Sequence, residues 1–140
     1  MKGGVKMRKV LSVSFEEAEM YCRKALELAS MGQVSIAVTV IGIRGIILCT
    51  MAMDDVLSIS PELSIKKAVT ALALKIATIE LQKQKVNVAE LGEKYCCFGG
   101  GIPIYSNSVV IGAIGVSGFE TGQADHDLAD RTLYIHLKRR

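Results

Sequence analysis

The 140-residue sequence has no tryptophan, and aromatic residues make up only 5% of it, yet half of its residues are hydrophobic. A complement of that size drawn from Leu, Ile, Val and Ala excludes a disordered chain and points to a compact aliphatic core or a substantial buried interface. Long apolar runs are also missing. VSIAVTVIGI and VVIGAIGV fall short of the roughly 20 residues that a helical membrane span needs, so no membrane segment is expected. The opening MKGGVKMRKVLSVSFEEAE has basic residues but neither an uninterrupted apolar stretch nor a small-residue cleavage site, so the expected location is cytoplasmic.

Strong charge of either sign is absent. Seventeen Lys and Arg against 14 Asp and Glu leave +3, with the basic residues scattered among acids, which is no footprint for nucleic acid. The tail Lys138, Arg139 and Arg140 reads as a solvated terminus. Four cysteines, Cys22, Cys49, Cys96 and Cys97, show no CxxC spacing and no accompanying histidine cluster, so neither a metal centre nor a disulfide framework is indicated. Reduced, buried thiols are expected.

At this length the chain builds one core, and a single domain over residues 14–140 with an N-terminal extension over 1–13 is expected. Ser14 followed by Glu17 resembles a capping box and predicts a helix over 15–31, ended by Gly32. Two interior strands follow, 34–41 and 46–51, joined through Gly42, Arg44 and Gly45. Ser60 as N-cap and Pro61 in the first turn predict a helix continuing to about residue 81, with Ile65, Val69, Leu72, Ile76 and Ile79 as its apolar stripe. A short helical piece at 88–91, strands at 96–98 and 109–116, and a helix over 124–137 complete the reading. This order lacks the strict alternation of a doubly wound fold, and an antiparallel sheet with helices on its faces explains it better.

Several familiar chemistries are missing too. The glycines at 99–101 lack the spacing of a dinucleotide fingerprint and the Lys-Ser/Thr pair of a phosphate loop, and no Ser, His and Asp set can be defended from spacing. GAIGVSG, ending at Gly118, precedes a helix start that could receive an anion, against the plainer reading of a bent strand and tight turn. Asp125 and Asp127 suit the first turn of the last helix, and His126 between them shares no face with both, so no metal site is expected there. His136 reads as a surface histidine, Asp54 and Asp55 as turn caps, and Arg44 as a turn residue. Lys66 and Lys67 differ by one helical position, so one is expected in solvent and the other tipped toward a pocket.

FGGGIPIYSNSVVIGAIGVSG with the following QADHDLA, together with MDDV and SIKKAVTALALK, resembles the HbpS-like haem-binding and haem-degrading family, also called GlcG. That family includes the C-terminal domain of the corrinoid adenosyltransferase PduO and small stand-alone members of glycerol and diol dehydratase systems. The resemblance implies an α+β, profilin-like three-layer α/β/α domain with a central antiparallel sheet, assembled as a homo-oligomer. It implies a ligand pocket around Lys67, Thr70, Gly99, Gly100, Gly101, Pro103, Gly118 and Asp125, in which the lysine pairs with an anionic group, and haem as the cofactor to test.

The sequence departs from the family pattern at three places. Ile41 stands where an aspartate is usual, the 118–125 segment is one residue longer, and the first helix has no histidine. A haem ligand would then come from Tyr21, Cys22, Met31, His126 or a neighbouring subunit. Three functions are consistent with this reading. One is a non-catalytic accessory protein for a small anionic ligand, haem or a corrinoid-related cofactor. Another is an enzyme on a small carboxylate or haem, using Lys67 with Asp125 or His126. The third is a structural oligomer.

Overall fold

The computed structural model describes the backbone of residues 4–138 and the side chains of residues 4–134. Residues 4–13 form no helix or strand, although Val13 N–H donates to Ile111 O across the sheet at 2.9 Å. Helix α1, Phe15–Met31, starts on the expected capping box: Ser14 Oγ accepts from Glu17 N at 3.1 Å, and Glu17 Oε1 accepts from Ser14 N at 3.2 Å. It buries Ala18, Tyr21, Cys22, Ala25, Leu28 and Ala29, the face that helical spacing picks out.

Strands β1, Ala37–Gly42, and β2, Ile47–Ala52, form the expected hairpin, closed by Gly45 N–H donating to Gly42 O. Helix α2, Ser60–Leu74, is shorter than expected and its N-cap is Ile59, with Ser60 inside the helix and buried. It stops because Lys75 adopts a left-handed conformation, φ 53° and ψ 45°, and Ala77 is extended. Helix α3, Thr78–Lys83, then starts afresh. A 3-10 turn at Ala89–Leu91 leads to β3, Gly101–Ser106, and β4, Val109–Ser117, followed by α4, Gly122–Lys138.

Residues 96–98 are not a strand; the strand lies five residues later and contains Pro103. The four strands run antiparallel in the order β2-β1-β4-β3, so Pro103 sits on an edge strand, where a missing N–H breaks no interior ladder.

Helices α1 and α4 cover one face of the sheet and α2 covers the other, which is the three-layer α/β/α arrangement expected. The two faces differ in bulk. Val38, Val40, Ile114 and Val116 point into the main core under α1 and α4, whereas Ala37, Thr39, Ala113 and Gly115 lie on the α2 side. The expected α2 stripe is corrected accordingly: Ser64, Lys67, Ala68 and Ala71 are buried against the sheet, and Ile65, Val69 and Leu72 are only half-buried. Small residues on both sides let the helix approach until Thr39 Oγ1 and Ser64 Oγ share a hydrogen bond of 2.8 Å. At Gly115 an added Cβ would overlap Ser64 O and come within 2.8 Å of Ala68 N.

The Gly115→Ala protein is therefore expected to lose about 3 kcal/mol of stability in chemical denaturation, because neither backbone can yield. Gly32→Ala, whose added carbon stays in ordinary contact at 3.6 Å, serves as the reference. Equal, small effects at both positions would show that α2 does not sit this close.

Candidate functional site

Two adjacent lysines on α2 have opposite fates. Lys66 reaches Glu62 on the helix surface at 3.7 Å, while Lys67 reaches the end of β4 and the start of α4. Its Nζ donates to Asp125 Oδ2 at 2.9 Å and to Val116 O at 3.0 Å. The two side chains are 3% and 5% exposed. Asp125 sits in the first turn of α4, where free N–H groups favour a carboxylate, and its Oδ1 accepts from Phe119 N at 2.9 Å. One ion pair thus ties α2, the end of β4, the 118–121 loop and α4 together. Burial pushes the Asp125 carboxyl above its ordinary range, against the pull of the Lys67 ammonium and of the Phe119 and Gly118 amides.

The glycine run closes over this pair. Gly100 has φ +133°, and a Cβ there would meet Val116 O, Lys67 Cδ at 2.9 Å and Asp125 Cβ at 3.1 Å, so only glycine fits. Gly99 N–H donates to Gln82 Oε1 at 2.7 Å, and Gly101 N–H donates to Thr78 Oγ1 at 2.9 Å. Thr70 Oγ1 donates to Lys66 O at 2.7 Å and accepts from Cys96 N at 3.0 Å, fixing the approach to the glycines. Gly118 turns beneath Ser35 and Ile36.

The residues singled out from sequence fall into three groups. Lys67, Thr70, Gly99, Gly100, Gly101 and Asp125 converge on one buried knot, in which Lys67 and Asp125 bond each other and Thr70, Gly99 and Gly101 are engaged by neighbouring protein groups. Gly118 borders a cavity of about 650 Å³ that Asp55, Phe119 and Glu120 also line. Pro103 borders a smaller apolar groove of about 300 Å³ with Tyr21, Ile104, Tyr105, Leu133 and Tyr134.

That groove collects three of the four tyrosines and was not read from the sequence, because its walls come from α1, β3 and α4. The available signal was Tyr105, an aromatic residue beside a proline-bearing strand.

The remaining candidates stay apart. Cys22 and Cys96 are buried, whereas Cys49 and Cys97 are half-buried, so the expectation of four buried thiols holds for two. Burial raises the Cys22 and Cys96 thiols above their ordinary value, which keeps both protonated and poorly nucleophilic at neutral pH. Met31 is exposed, Asp127 accepts from Gln123, and His126 has a buried Nδ1 without a hydrogen-bond partner. Among the described residues no three His, Cys, Asp or Glu side chains gather around a common point, and no helix is long and apolar enough to cross a membrane. The His136 side chain and the basic tail lie outside the described side chains.

Residues 13–133 match the family described as haem-degrading protein HbpS-like, and the chain belongs to that family. It is 34% identical to the corrinoid adenosyltransferase PduO of Salmonella typhimurium over 88% of this chain, but spans only 38% of that relative. The fold matches the crystal structure of Klebsiella pneumoniae ORFY with a TM-score of 0.85 at 28% identity, covering 94% of each chain. It also matches a structure described as a PduOC:haem complex with a TM-score of 0.81 at 32% identity, over 89% of this chain and 94% of the other.

Lys67→Met is expected to destabilise the protein at pH 7 by about 3–5 kcal/mol, since it leaves a buried carboxylate without its cation. Without Lys67 the Asp125 carboxyl is raised further. A group whose folded pKa is raised is stable in its neutral form at low pH and loses that contribution as pH rises through the folded value. The variant's deficit should therefore shrink between pH 7 and pH 4, and Lys67→Met with Asp125→Leu should recover most of the loss. Urea denaturation at the two pH values checks both, and a deficit that grows on acidification would contradict the pairing.

Proposed function

We propose that this HbpS-like chain is a non-catalytic accessory protein that binds haem or a corrinoid-related ligand, working as a homo-oligomer in glycerol or diol metabolism. The observation that carries this reading is the close likeness to a domain whose structure is described as a haem complex. An apolar groove in this chain agrees with it. Its volume of about 300 Å³ is at the low end for small-molecule sites, which run from roughly 300 to 1,000 Å³. It suits one face of a flat apolar ring and leaves the other face to solvent or to a second copy.

Tyr21 gives the groove a ligand chemistry. Of the four side chains that could replace the missing helical histidine, Cys22, Met31 and His126 do not line the groove. Tyr21 alone lines it, and a tyrosine oxygen is a known haem ligand type. A bound haem would supply redox and ligand-exchange chemistry at its iron. Ile104, Tyr105 and Leu133 would bury the ring face, and Pro103 would stiffen the strand beneath it.

In this reading Lys67, Thr70, Gly99, Gly100, Gly101, Gly118 and Asp125 position the strands and helices around the ligand rather than carry a reaction. The mutual engagement of Lys67 and Asp125 supports that assignment over acid–base catalysis, which needs a group within reach of substrate. Exposed Val5, Met7, Val10 and Leu11, with Ile46 and Ile47 of the hairpin, support a homo-oligomer in which a second copy covers them.

Hemin titration of the reduced protein should give a saturable, stoichiometric Soret shift. Cys22→Ala should keep it, and Tyr21→Phe should weaken it about tenfold or more, as loss of an axial ligand requires. Aquocobalamin in place of hemin separates the corrinoid from the haem reading. No specific spectral change with either would sink the ligand assignment, and full affinity in Tyr21→Phe would remove Tyr21 from it.

A further inference from the structure

On the opposite face of the sheet from the tyrosine groove, α2 and the β1–β2 hairpin border a depression of about 490 Å³. Arg44, Lys75 and Lys94 rim it, and Val69, Leu72 and Tyr95 form its apolar lining. We propose that this depression is a second binding site, for an organic anion with an apolar body, its carboxylate or phosphate head held among the three cations.

The charge pattern carries the argument. No carboxylate lines this cavity, whereas Asp55 and Glu120 line the cavity of about 650 Å³ beside Gly118 and Asp130 lines the tyrosine groove. Among the described residues Arg23, Lys24, Lys66, Lys67 and Lys83 each have an acidic partner, whereas Arg44, Lys75 and Lys94, like Lys6, Arg8, Lys9, Lys85 and Arg131, have none; what sets Arg44, Lys75 and Lys94 apart is that they line one depression. Three unpaired cations gathered on one rim repel each other, and an anion is the species that relieves this. The depression on the far side of Arg44 adds Arg8 and again has no carboxylate, so the positive field extends beyond the rim.

Backbone geometry adds an independent observation. Lys75 holds a left-handed conformation at the end of α2, φ 53° and ψ 45°, where glycine is the usual residue; of the non-glycine residues with positive φ, Gln33, Lys75, Lys85, Asn107 and Ser108, it is the one that lines this depression. A lysine in that position accepts local strain, and strain of this kind is a pointer to function when the side chain faces a cavity. Lys94 is steered as well: its Nζ lies 5.3 Å from the centre of the Tyr95 ring. The floor is a half-buried aliphatic surface that a head group alone would leave wet, which is why the site asks for an amphipathic anion rather than a bare ion.

The test uses the fluorescence of 8-anilinonaphthalene-1-sulfonate on the whole protein, with displacement by octanoate, octyl phosphate and octylammonium. The expected result is one class of bound dye, released by the two anions and not by octylammonium, with affinity falling as salt rises. The tighter of the two anions identifies the head group. Arg44→Gln and Lys94→Gln should each weaken displacement by about tenfold, as loss of a charge-assisted contact requires, while Lys83→Gln leaves it unchanged. Lys75→Gly separates site from scaffold, because it should raise the melting temperature by relieving strain while weakening anion binding. Equal release by octylammonium, or undiminished anion affinity in the Arg44→Gln, Lys94→Gln double variant, would overturn the proposal. Neither outcome bears on the hemin titration, which reads the other face.

Discussion

Placing the Lys67 ammonium and the Asp125 carboxylate out of water costs several kcal/mol for each ion, and only a complete set of partners makes the arrangement tolerable. The chain provides that set. The carboxylate takes the ammonium on one oxygen and the Phe119 amide on the other, and the ammonium also reaches Val116 O. Everything around the pair follows from keeping it dry and close. The glycines approach without side chains, Thr78 and Gln82 hold their amides, and the start of α4 is fixed where its dipole favours the carboxylate. A buried pair of this kind adds little net stability compared with apolar residues, so its value lies in specifying how four segments meet.

The same constraint accounts for the unequal faces of the sheet. Lys67 reaches Asp125 only if α2 lies very close to β4, and Ala113 and Gly115 on the strand with Ser64, Ala68 and Ala71 on the helix allow that approach. Larger side chains are displaced to the other face, where α1 and α4 cover them and the tyrosines gather at the β3 edge. The hairpin end of α2 is left with Val69 and Leu72 half-covered and the cations of Arg44, Lys75 and Lys94 around them. Two chemically different cavities thus arise on opposite sides of one rigid sheet.

How far sequence could lead depended on whether a signal was local. The capping box of Ser14 and Glu17 is complete within four residues, and α1 was legible from end to end. The long helix expected over 60–81 failed at Lys75, because the apolar spacing of Leu72, Ile76 and Ile79 runs straight through a residue whose left-handed backbone carries no glycine or proline to announce it. The third strand was misplaced because Pro103 argues against a strand, and only the sheet order reveals that it lies on an edge. Lys67 and Asp125 stand 58 residues apart, so their shared neighbourhood was legible only through the family resemblance, which put both around one pocket. Neither resemblance nor spacing indicated that they meet each other in a closed knot, since closure is a property of packing.

Native-state hydrogen exchange at the Phe119 amide tests the central claim most directly, because this loop N–H is held only by Asp125 Oδ1. If the buried pair is the tie that the surrounding segments depend on, Phe119 should exchange with the same opening free energy as Val116 in β4 and with the same dependence on denaturant, both reporting global unfolding. Exchange at Phe119 that is far faster than at Val116 and insensitive to denaturant would contradict the account, showing that the Lys67–Asp125 knot opens locally while the fold stays intact.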